Sequence, residues 1–346
     1  MLAFGAFQML LQAGLITSLF TLTLFLPAVQ ESLSVVSYGP SPGRVSLTAS
    51  PKAPSLFFAS GRLDGKGEEH QSGQPSTQVG LNHVYAVLDE ESYSAIRSSA
   101  FLRERFAAMD TGLPDFPAVT ESSTSLYIRG KQTYVELMGP QNRFGEPVGK
   151  VGIGLGVDEG SDLDEVERVW NDRLGGRVIR QEQEWTRTDP PVPWHEVVLH
   201  PETIAGPTVV VWASAYRPEF LPWLYPERTA QENGVRRADF LAPRFDAELM
   251  LEDITEVILA LPEDLRAKIT LQLEAVGYKT VESEGSVRLQ GHAWSLTLVE
   301  STSERTGLVG LQFSTTRERE GAPILRLGGR SVMCFGPGRA GSWAFL

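Results

Sequence analysis

The sequence predicts an α+β fold made of repeated β-α-β-β-β modules, whose curved sheets carry helices on their outer face. Three observations lead there. Runs of alternating apolar and polar residues, with the period of two that a half-buried strand requires, open near residues 81, 151 and 254. Each is followed by a segment of helical period, and each helical segment by further strand-like runs. The connections are short, so successive elements pack as neighbours with helices on one face of each sheet.

The first opening strand is LNHVYAVLD, residues 81–89. Alternation puts His83, Tyr85 and Val87 on one side and Val84, Ala86 and Leu88 on the other. The helical stretch ESYSAIRSSAFLRERFAAM follows, with Tyr93, Ile96, Ala100 and Phe106 as its support, and then the strands SLYIRG and TYVELMG. The second round opens with VGIGLGVD, residues 151–158. Leu163, Val166, Trp170 and Leu174 then line one helical face, and Gly175 supplies the left-handed stop. RVIRQEQEW, WHEVVLH and TVVVWASAY complete that round. A third round runs over 254–316: ITEVILAL, a helix with Leu265, Ile269, Leu273 and Val276 on one face, then YKTVES, VRLQGHAWSLTLVE and GLVGLQFSTT as strands. The tail from Arg330 carries too little pattern to assign.

The 346 residues suffice for about two domains at roughly 150 residues each. With 43 acidic against 31 basic residues the formal charge is −12, and no basic stripe exists to bind a phosphate backbone, so nucleic acid is set aside as a partner. The one cysteine, Cys334, can form neither an internal disulfide nor a multi-thiolate metal site. GIGLG lacks the spacing of a phosphate loop and alternates as a strand does. Residues 1–30 are almost wholly apolar and uncharged, the pattern of a signal peptide or a membrane anchor, and 31–79 read as a disordered Ser/Pro/Gly-rich linker. The expectation is a secreted or periplasmic protein whose N-terminal segment contacts the membrane during export, with a membrane-anchored protein as the alternative. The folded parts are then 80–220 as two modules, 221–253 as a connecting segment, 254–330 as a third module and 331–346 as a tail.

LNHVYAVLD, YIRGKQTYVELMGP (127–140) and VGIGLGVD together resemble the glyoxalase-like branch of the vicinal oxygen chelate superfamily, and within it bacterial members of unknown function. The resemblance covers residues 80–220 well and 254–316 as a further module of the same shape. It implies paired β-α-β-β-β modules whose sheet forms a cup, a divalent metal (Zn, Fe, Mn or Ni) held by inward His and Glu side chains, and lyase, isomerase or ring-opening chemistry on a small oxygenated molecule. His83 matches the opening-strand ligand position and Glu136 the last-strand position. The residues agree that His83, Tyr85, Tyr134 and Glu136 converge on the open side, with Glu136 and Tyr134 as candidate proton-moving groups. The sequence departs from the pattern where Gly152, Gly154 and Gly156 stand in place of a second inward ligand. His195 and His200 are the replacement candidates, although His195 lies on one face of its strand and Glu196 with His200 on the other. Tyr85, Tyr134, Trp212 and Tyr216 are expected to line the pocket, with the missing side chain of Gly154 leaving room for a ligand. Two further readings use the same fold: a metal-free protein that binds or sequesters a small molecule, and an exported interaction module. A homodimer fits the latter, since an unpaired module exposes a sheet edge.

Overall fold

The computed structural model describes residues 79–158, 160–175, 178–200, 208–229, 235–319 and 324–346. The N-terminal signal or anchor (1–30) and nearly all of the expected linker (31–79) lie outside them. Among the described residues no helix is long and apolar enough to cross a membrane.

Two eight-stranded sheets make up the fold. The first contains β1 (Val79–Val87), β2 (Ala108–Asp110), β3 (Ser125–Arg129), β4 (Tyr134–Met138), β5 (Val151–Val157), β6 (Ile179–Trp185), β7 (Val192–Leu199) and β8 (Val209–Tyr216), in the order β2-β3-β4-β1-β5-β8-β7-β6. Helix α1 (Glu90–Ser98) follows β1, and α2 (Gly160–Leu174) follows β5, so this sheet is two β-α-β-β-β modules joined at β1 and β5. Asp89 caps α1 by accepting from the Ser92 amide at 2.9 Å, and Glu90 and Glu91 favour its positive N-terminal end.

The second sheet repeats the order with β9 (Leu251–Leu261), β10 (Lys279–Ser283), β11 (Ser286–Gln290), β12 (Ser295–Glu300), β13 (Gly307–Arg319), β14 (Ile324–Arg326), β15 (Ser331–Phe335) and β16 (Gly338–Phe345). Between the first sheet and β9, the connecting segment forms two short helices, α3 (Phe220–Leu224) and α4 (Arg237–Leu241). Helix α5 (Glu263–Ala275) follows β9. The stretch expected as one strand over VRLQGHAWSLTLVE is the hairpin β11–β12. GLVGLQFSTT belongs to β13, which pairs with β9 and opens a further four-strand unit. The tail supplies that unit's β15 and β16, whose inward Met333, Phe335, Trp343 and Phe345 are all buried.

The helices lie between the sheets, on the face of each opposite its open side. Trp170 of α2 is fully buried and its Nε1 donates to the Gln272 carbonyl of α5 at 3.0 Å, while Gln272 Nε2 donates to the Val211 carbonyl of β8 at 3.3 Å. Over the β13–β16 unit, aromatic side chains that follow α1 supply the cover. Phe106, in a π-helical turn over Leu102–Phe106, packs its ring 5.1 Å from that of Phe313 and 6.2 Å from that of Trp343, and Phe101 reaches Phe335 at 6.0 Å. One hydrophobic core therefore draws on both sheets, from Val84 and Val135 to Leu311 and Trp343.

Candidate functional site

The open side of the first sheet is the cup, and strand register shows how it is tiled. One transverse row reads Arg129, Tyr134, His83, Gly154, Trp212 and Leu199 across β3, β4, β1, β5, β8 and β7. The next row reads Asp110, Tyr127, Glu136, Tyr85, Gly152 and Val210. His83 and Glu136 thus share a face but sit diagonally, one pleat apart, on neighbouring parallel strands. A β-bulge between Leu81 and His83 inserts Asn82, which lets two consecutive residues attend to the cup: Asn82 Oδ1 lies 2.9 Å from His83 Nδ1.

The glycines of β5 act differently from expectation. A Cβ on Gly152 would lie 2.0 Å from the Tyr85 ring, and one on Gly154 would lie 2.8 Å from the His83 ring and 2.9 Å from that of Trp212. Gly154 is therefore not an open wall: the space it leaves is filled by His83 and Trp212, whose rings meet edge to face at 5.2 Å. On the other side of His83 the Tyr134 ring stacks at 4.4 Å with a 9° interplanar angle. The imidazole is thus held between a phenol and an indole.

Above this floor is a cavity of about 160 Å³ whose wall includes His83, Tyr85, Tyr134, Glu136, His195, Trp212 and Tyr216. All but two of the residues expected at the site meet there. Gly154 lies beneath the rings, and His200, buried at the end of β7, is not part of the wall. His195 stacks on Trp194 at 4.1 Å. The connecting segment closes one end, where Phe240 of α4 lies on the cavity and stacks on Tyr216 at 4.4 Å. Arg237 secures α4: it forks onto Asp158 (Nε 3.0 Å, Nη2 2.9 Å) and donates to the Leu81 carbonyl at 2.6 Å, in a slot that side chains at Gly80 and Gly156 would fill.

Several site groups carry no signal in one sequence. Arg129 forks onto Asp110 through Nε (2.9 Å) and Nη2 (2.7 Å), with both side chains almost wholly buried. Its guanidinium lies over the rings of Tyr127 and Tyr134, 4.6 and 5.0 Å from their centroids. Tyr127 Oη donates to Glu136 Oε1 at 2.8 Å. The two hydrogen-bonded pairs, Tyr127–Glu136 and Arg129–Asp110, join residues 9 and 19 positions apart on different strands, and only register brings them together.

Burial dominates the electrostatics. It pushes the Glu136 carboxyl above the usual carboxylate range, against the opposing pull of the Tyr127 hydrogen bond and of Arg143 and Arg129. It lowers the imidazoles of His83 and His195 to about 3, with the fields of His195 and Arg129 adding to the effect at His83. Both rings keep some accessible surface, but that surface faces a concave wall built largely of aromatic rings, where a cation is poorly solvated. The consequence for stability has a definite sign. Below pH 6.5 the unfolded chain takes up protons that the folded chain refuses until pH about 3, so this contribution is complete above 6.5 and declines as pH falls through that window. Urea unfolding midpoints of the wild type are expected to drop over this range more steeply than those of a His83→Phe/His195→Phe variant. Parallel pH curves would contradict the assignment.

The donor set does not suit the metal that the resemblance implied. His83 and Glu136 sit one pleat apart, and the row neighbours of His83 are a phenol, a glycine and an indole, none of which supplies a further carboxylate, imidazole or thiolate. Among the described residues no three His, Cys, Asp or Glu side chains are grouped so as to hold a metal ion.

Residues 81–345 match the model of a family described only as a family of unknown function (DUF5829). The chain belongs to that family. Its architecture is α+β, with two paired β-α-β-β-β modules in the first sheet. No curated protein matches. Similar solved structures include a hypothetical protein from Staphylococcus aureus (11% identity, 75% of this chain and 99% of that one, TM-score 0.45). A catechol 2,3-dioxygenase is 9% identical over 76% of this chain and 87% of its own, with a TM-score of 0.40. The Mn(II)-bound glyoxalase from Novosphingobium aromaticivorans is 12% identical over 67% and 64%, with a TM-score of 0.37.

Proposed function

We propose that the cup of this DUF5829 protein binds a small organic molecule without a metal ion. The observation that supports this most directly is the setting of His83: its neighbours across the sheet are Tyr134, Gly154 and Trp212, and among the described residues no three His, Cys, Asp or Glu side chains are grouped around a common point. A concave, mostly aromatic wall with a few inward polar atoms is the usual make-up of a small-molecule pocket. Protein purified without chelators is expected to carry far less than one equivalent of any divalent metal by elemental analysis, and His83→Ala is expected not to change that. Stoichiometric metal that disappears in His83→Ala would overturn the reading.

That second outcome would support the enzymatic alternative, a metal-dependent lyase, isomerase or ring-opening enzyme acting on a small oxygenated molecule. One observation favours chemistry of some kind in the cup: the raised, buried Glu136 carboxyl beside the Tyr127 hydroxyl is suited to hold or move a proton at the wall. An exported interaction module has less support, because the third module is not unpaired: its β9 pairs with β13 of a further four-strand unit.

A further inference from the structure

The pocket's walls constrain its ligand, and the constraint rests on the metal-free binding reading above. In size, a cavity of about 160 Å³ corresponds to a single six-membered ring, since an apolar cavity of roughly 150 Å³ takes up benzene. In shape, the rings of Tyr134, Tyr85, Trp212 and Trp194 on the wall favour a flat occupant. In charge, the wall offers little net attraction to an ion. Arg129 is spent on Asp110 in a buried fork, and Arg143 directs its field onto the Glu136 carboxyl.

The polar pattern is more specific. Asn82 Nδ2 donates to Tyr216 Oη at 3.2 Å, which turns Asn82 Oδ1 towards His83 Nδ1 at 2.9 Å. An amide oxygen cannot donate, so Nδ1 carries the hydrogen, and in the neutral imidazole Nε2 is left as a lone-pair acceptor. No described residue takes up Nε2, and the ring lies on the cavity wall. We infer that the ligand is an uncharged, single-ring aromatic molecule that presents an O–H or N–H group to His83 Nε2. A ligand without a donor would cover that acceptor and leave it unpaired, and a carboxylate would meet its lone pair with negative charge.

The test uses the full chain and three ring-sized probes of similar shape: phenol, fluorobenzene and benzoate, titrated by ligand-detected NMR. Phenol is expected to bind about three- to tenfold more tightly than fluorobenzene, the ratio of one net hydrogen bond, with benzoate weakest. In His83→Phe, which keeps the stacked ring but not the acceptor, phenol and fluorobenzene should bind alike. Independently of any variant, the ring nitrogens of His83 should give ¹⁵N shifts showing Nδ1 protonated and Nε2 bare. Equal affinity for phenol and fluorobenzene, preference for benzoate, or a protonated Nε2 would overturn the inference while leaving metal-free ring binding intact. Failure of all three probes to bind would overturn the binding reading itself.

Discussion

Arg129→Met is expected to lower folding stability by about 3–5 kcal/mol, because it strands the Asp110 carboxylate in the interior without its partner. The two side chains are 3% and 1% exposed, so neither has water to fall back on. Asp110 Oδ1 also accepts the Gly112 amide at 2.8 Å, which means that a neutral amide at 110 can keep this backbone contact while removing the charge. Arg129→Met combined with Asp110→Asn should therefore recover much of the loss, as coupled neighbours do. Urea unfolding of the two single variants and the double variant decides the matter. A cost for Arg129→Met below about 1 kcal/mol would show that water reaches the pair. The effect should extend to the cup, since the same guanidinium lies against Tyr127 and Tyr134, whose neighbours are Glu136 and His83.

Trp170→Ala is the second large effect expected, again about 3–5 kcal/mol for emptying a fully buried tryptophan site. The indole bridges α2 and α5, and its hydrogen bond to Gln272 crosses from one sheet's helix to the other's. The loss should consequently appear in both sheets at once. Calorimetry of wild type and variant should show one cooperative transition that moves as a unit. Two transitions, with only one of them shifted, would mean that the halves fold separately and that the common core carries little coupling.

Strand-level features of the site were legible because they depend on local alternation. His83, Tyr85, Tyr134 and Glu136 face the cup and Val84, Ala86, Val135 and Leu137 face the core, as a period of two requires. The helical face of Leu163, Val166 and Trp170 is buried for the same kind of reason. Short or faint elements escaped: β2 has three residues, and the tail strands place Gly338, Ala340, Ser342 and Ala344 where a contrasting polar face would have revealed alternation. The fate of the glycines could not be foreseen, because an empty Cβ position shows that something approaches closely without saying what. At Gly152 and Gly154 the approaching groups are Tyr85, His83 and Trp212 of the protein itself.

The sequence by itself determined the succession of the long strands and helices and the face that His83, Tyr85, Tyr134 and Glu136 present, since these follow from spacing along the chain. Only the tertiary structure decided that Arg129 belongs to Asp110 and not to Glu136, that Asn82 orients His83, and that His200 stays outside the cavity. Those outcomes depend on register, on one bulge and on packing between strands far apart in the chain. A displacement of one residue in pairing would have redistributed every contact without altering the local pattern that was visible beforehand.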